Sequence, residues 1–161
     1  MKGVAKKAFA LFLTLVLSAA VLTGCFSEEP VEFSNSGMTV TLTSAFKEVE
    51  HEGFTAAYDS RDIAVFAIKE MISDLPGGVS LTLEDYGKLV LETNGLDTTL
   101  SKEGLLTYFV FEKDIDGAKY SYFSSVYKGS DAFWLFQFAC KSSSFDGLKD
   151  DIISYASSVE V

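Results

Sequence analysis

Several groups of residues could do chemistry by type and spacing. Glu112-Lys-Asp114-Ile-Asp116-Gly117 sets acids at alternate positions ahead of a glycine, as at the start of a calcium-binding loop. Such a loop needs a bidentate Glu at its twelfth position, which here is Phe123, and the flanks alternate like strands. A tight hairpin turn is therefore expected, with a weak surface calcium site at Glu112, Asp114 and Asp116 as the alternative. The single histidine, His51, stands among Glu48, Glu50 and Glu52. A zinc site needs three or four converging ligands, so an exposed polar loop or strand edge is the expectation. Ser142, Ser143 and Ser144 precede a helical pattern, where serines act as caps. With one histidine in a distant segment and no G-x-S-x-G, no hydrolase triad is expected. Phosphate-loop motifs are absent from the sequence, and Pro76-Gly77-Gly78 reads as a turn. Adjacent carboxylates such as Glu84-Asp85 and Asp150-Asp151 diverge on a helix and are expected to be solvated.

The two thiols have separate fates. Cys140, in FWLFQFAC, reads as a small buried apolar residue rather than a nucleophile. Cys25 follows Lys2, Lys6 and Lys7 and the apolar run AFALFLTLVLSAAVL, Ala8 to Leu22. That order is the pattern of a secretory signal, and the run is short of the roughly 20 apolar residues of a permanent span. Its end, Leu22-Thr23-Gly24-Cys25, resembles the lipobox of bacterial lipoproteins. The resemblance implies removal of residues 1–24 as a signal peptide and lipidation (a palmitate-type anchor) of Cys25. The mature chain would then be a lipid-anchored protein at the extracytoplasmic face of the cell membrane. An ordinary signal peptide cleaved near Ala20 and an uncleaved anchor are the alternatives.

All 23 acidic residues lie beyond residue 24, whereas three of the 13 basic ones precede it. The mature chain thus carries a net charge of about −13. This argues against nucleic acid and against a polybasic membrane-docking face. Residues 25–37 are expected to be a tether, given Glu28, Glu29, Pro30 and Gly37; a dozen residues reach at most about 40 Å. Residues 38–161 are expected to form one globular domain.

Within it, Met38-Thr-Val-Thr-Leu42 alternates as a strand. Segments 54–58 and 63–71 read as strands joined across Asp59-Ser-Arg-Asp62. Thr82 caps a predicted helix with Glu84 and Asp85 in its first turn and Gly95 at its end. Leu83, Tyr86, Leu89, Val90 and Thr93 form its expected apolar stripe. Strands are predicted over 105–113 and 118–127, flanking Asp116-Gly117, a tight-hairpin signal. Residues 132–140 follow: Phe133 and Leu135 point one way, Trp134, Phe136 and Phe138 the other, so a central strand covered on both faces is expected. The chain closes on a helix with Phe145, Leu148, Ile152, Tyr155 and Val159 on one stripe. The sum is an α+β fold, a largely antiparallel sheet flanked by helices.

SGMTVTL, FTAAYDSRDIAVFAIKE, LTLEDYGKLV and SDAFWLFQFAC running into FDGLKDDIISYASSV together resemble the PsbP/Mog-like fold, including small bacterial lipoproteins of that group. The resemblance spans about Gly37 to Val159 and implies an α/β/α sandwich whose roles are protein binding and complex assembly. It supplies no catalytic, metal or cofactor residues. The expectation is a non-catalytic binding module for an envelope protein or a small ligand. An envelope enzyme with a carboxylate–tyrosine or metal-assisted site is the alternative. The tyrosines near Tyr120, Tyr122 and Tyr127 are either core residues with wet hydroxyls or part of a partly open aromatic face.

Overall fold

A computed structural model describes residues 28–161. The signal, Cys25 and its lipidation lie outside the described residues. The first described element corrects the sequence reading. Pro30–Asn35 (β1), expected as tether, pairs antiparallel with Met38–Thr43 (β2). Proline is tolerated as the first residue of a strand, so Pro30 opens β1 rather than breaking it. Ser36 and Gly37, at φ 53° and 93°, make the two-residue turn that suits the strand twist. The alternation in β2 is as read: Met38, Val40 and Leu42 are buried and the threonines are half-buried.

Seven further strands form one antiparallel sheet. In chain order they are Lys47–Val49 (β3), Ala56–Asp59 (β4), Ala64–Met71 (β5), Ser101–Glu103 (β6), Leu106–Ile115 (β7), Ala118–Lys128 (β8) and Ala132–Lys141 (β9). Their spatial order is β3-β4-β5-β9-β8-β7-β6. β9 is central, and every residue in it except Lys141 is buried. Its even and odd residues feed different cores. Phe133 and Leu135 join Tyr86, Val90, Phe109 and Val126 on one face. Trp134, Phe136 and Phe138 join Val40, Leu42, Phe123 and Ile152 on the other.

Two helices and the β1–β2 hairpin supply the outer layers. Helix Leu83–Asn94 (α1) begins with a capping box: the Asp85 backbone N–H donates to Thr82 Oγ1 at 3.1 Å, and the Thr82 N–H to Asp85 Oδ2 at 3.1 Å. Gly95 ends it at φ 62°. Its buried face is Tyr86, Gly87, Val90 and Leu91, whereas Thr93 is exposed, so the stripe is turned from the expected one. Leu100 packs against this face: a Cβ on residue 87 would come within 2.9 Å of its methyls. Gly87 lets the connecting loop tuck under the helix.

Helix Phe145–Ser157 (α2) covers the opposite face with the hairpin, burying Ile152 and Ala156. Phe145, Leu148, Tyr155 and Val159 are half-buried on the same core, as the stripe predicts. The Tyr127 hydroxyl donates to the Ala156 carbonyl at 2.7 Å and fastens α2 to β8. The expected serine caps are not formed. Ser142–Ser144 make a 3₁₀ turn, and Ser144 offers no side-chain bond to the helix N-terminus. Helical backbone at Ser144 (φ −105°, ψ −9°) replaces the extended geometry a cap requires. After α2, Glu160 exchanges two backbone hydrogen bonds with Thr39, at 2.9 and 3.0 Å, adding the chain end to β2.

Candidate functional site

The acids of the calcium-like motif are spread along a hairpin. Glu112 and Asp114 lie on β7, while Asp116 (φ 53°) and Gly117 (φ 81°) form the turn. Asp114 Oδ1 accepts the Gly117 N–H at 3.0 Å, and Glu112 lies 3.9 Å from the Lys119 ammonium. The motif is thus spent on turn geometry. Among the described residues, no group of three His, Cys, Asp or Glu is placed to hold a metal ion.

Two carboxylates have their pKa values raised, Asp59 and Glu70, both chiefly by burial. An acid–base pair would have to sit across one reacting bond. Asp59 lies opposite Ala64 on β5, six residues before Glu70, a separation of roughly 20 Å along a strand. Glu70 is occupied structurally: Tyr86 donates its hydroxyl to Glu70 Oε2 at 2.7 Å, while its ring stacks on Phe133 at 4.5 Å and 15°.

The other tyrosines are also core residues. Burial raises the phenols of Tyr58 (to about 12), Tyr122, Tyr127 and Tyr155. Tyr120 and Tyr122 are buried, which corrects the partly open aromatic face considered from sequence. Burial pushes the Cys140 thiol up to about 11, an inert thiol as expected. Ser142 Oγ lies 2.8 Å from Ser121 Oγ, and Ser121 Oγ is 3.4 Å from Glu112 Oε1.

A groove opens at the β3 end of the sheet. It measures about 1050 Å³ and, among the described residues, is lined by Asn35 and Glu48–Ala57. Its rim carries three exposed acids, Glu48, Glu50 and Glu52. Its wall is aromatic. His51 is half-buried, edge-on to Phe66 at 5.6 Å and to Phe54 at 6.5 Å, and Phe54 lies 4.7 Å from Phe66. The exposed polar loop expected around His51 is therefore half an aromatic cluster. Phe66 sits on β5, and only the β4–β5 hairpin brings it under the histidine. The β1–β2 hairpin closes the far side, where Asn35 Nδ2 donates to Glu48 Oε1 at 2.8 Å. Outside the groove's lining, two buried oxygens, Tyr58 Oη and Asp59 Oδ1, have no hydrogen-bond partner. Sequence reasoning named His51 and its acids as ligand candidates and missed Asn35, Phe54 and Phe66; the FTAAY alternation held the only signal.

Among the described residues, no helix is long and apolar enough to cross a membrane. No protein-family model matches the sequence, and no curated protein does. Solved structures do match. The cyanobacterial PsbP (CyanoP) of Synechocystis has a TM-score of 0.52 at 18% identity, covering 88% of this chain and 98% of that one. A protein from Bacteroides thetaiotaomicron has the same TM-score at 14% identity, over 78% of this chain and 45% of that one. LpqN of Mycobacterium tuberculosis, described as involved in cell envelope biogenesis, has a TM-score of 0.45 at 12% identity. The likeness to the cyanobacterial protein runs over almost its entire length, and the fold of this chain is PsbP-like, a mostly antiparallel sheet between two helical layers.

Proposed function

We propose that this protein is a lipid-anchored module of the cell envelope that binds another envelope protein or a small ligand and performs no catalysis. The observation that carries the binding role is the groove at the β3 end of the sheet, about 1050 Å³ with an acidic rim and an aromatic wall. Concave sites with an apolar wall and a few convergent polar groups are where ligands and peptides bind. The anchoring role rests on Leu22-Thr23-Gly24-Cys25 behind an apolar run with a basic start. Lipid at Cys25 holds the domain at the outer membrane surface by a short link, and the acidic body is not itself drawn to anionic headgroups. Fold likeness to PsbP supports an assembly role by analogy only.

Affinity purification of the tagged full-length chain from cross-linked membranes tests the binding role, alongside native mass spectrometry for small ligands. A reproducible partner or ligand is expected; recovery of neither refutes it. The mass of the N-terminal peptide tests the anchor. A diacylglyceryl-bearing Cys25 is expected, and an unmodified terminus elsewhere refutes that part.

A further inference from the structure

From the groove's geometry we infer that its occupant is an extended, basic segment of a partner protein, which adds beside β3 as an eighth strand. The inference deepens the binding-module reading and rests on it. Among the described residues β3 is the terminal strand of the sheet and pairs with β4 alone, so one of its backbone edges is unpaired, and its Glu48 and Val49 line the groove. An open edge beside side-chain pockets is the arrangement used for strand addition.

Charge selects the sequence of that peptide. Glu48, Glu50 and Glu52 are exposed on the rim, and among the described residues no Lys or Arg lines the groove. Val49 and Phe54, backed by Phe66, form an apolar wall that would take every second side chain of an extended segment. Alternating cationic and apolar residues match both surfaces.

The test is fluorescence anisotropy with the full chain in non-ionic detergent and a labelled nonapeptide of alternating Lys and Val. Glu48→Gln/Glu50→Gln/Glu52→Gln keeps the Asn35 bond and removes the rim charge. Glu92→Gln/Asp150→Asn/Asp151→Asn removes the same charge from exposed positions on α1 and α2. Saturable binding at low salt is expected, weakened about tenfold by the rim variant, as three exposed ion pairs would give, and little by the control. Phe54→Ala, checked for an unchanged circular dichroism spectrum, should weaken it too. Equal weakening by the rim and control variants, or equal binding of a Glu–Val peptide, overturns the inference. So does no binding of the Lys–Val peptide. A partner captured equally by wild type and rim variant would also overturn it while leaving the binding-module reading intact.

Discussion

Tyr86→Phe isolates one hydrogen bond that ties α1 to the sheet. The substitution keeps a ring that is fully buried and stacked on Phe133 at 4.5 Å. It deletes only the hydroxyl, which donates to Glu70 Oε2 at 2.7 Å. Hydrogen bonds to charged groups contribute about 1.5–3 kcal/mol, and Glu70 is half-buried, which places the loss near the lower end, about 1.5 kcal/mol. The loss should depend on pH in one direction. Burial raises the Glu70 pKa and the Tyr86 donation lowers it, so the bond favours the charged carboxylate. The cost of Tyr86→Phe is then full above the Glu70 titration and shrinks as the pH falls through it. Urea unfolding of wild type and variant at several pH values between 4 and 8 measures this, with m unchanged. At neutral pH the melting temperature should fall by about 3–6 °C. A cost that is zero, or that grows on acidification, would refute the reasoning.

Other perturbations separate the remaining contacts. Glu70→Gln should remove a pH-dependent loss of stability. The folded-state pKa of Glu70 is raised above its unfolded value, so its contribution is present at low pH and lost as the pH rises through the folded pKa. The variant's stability, followed by the same unfolding series, should therefore fall less than wild type between acid and neutral pH. Thr82→Ala should cost about 1 kcal/mol, because it breaks the capping box, whereas Ser144→Ala should be nearly neutral. Gly117→Val should destabilise by about 1–2 kcal/mol, since φ 81° is strained for a branched residue. Cys140 should resist thiol reagents at pH 8 in the folded chain and react on denaturation, given a thiol pushed up to about 11; peptide mapping of the label reads this directly.

How much of this was legible in the sequence follows from where each signal is stored. β9 could be read because its own side chains declare two apolar faces, and the structure buries both. α1 could be read at its ends, where Thr82, Asp85 and Gly95 act locally, but not in its buried face, which includes Gly87, packed on Leu100 of the following loop, and leaves Thr93 exposed. β3 and β6 are three residues each, too short for any period to register. β1 was hidden because its order comes from pairing with β2, while its composition reads as a linker. The groove is the least local feature. Its acids are contiguous and visible, yet Asn35 and Phe66 arrive from two separate hairpins. His51 therefore looked solvated in the sequence and is half-buried against rings in the fold.

The central claim, that this is an envelope module binding a partner through the β3 groove, has a direct test in intact cells. A photoreactive benzoylphenylalanine at position 54 replaces one aromatic ring by another inside the groove. The same group at Ser154, exposed on α2, serves as the comparison. Irradiation should yield a discrete protein adduct from position 54 and not from position 154. No protein adduct at position 54, with the chain folded and in the membrane fraction, would contradict the account.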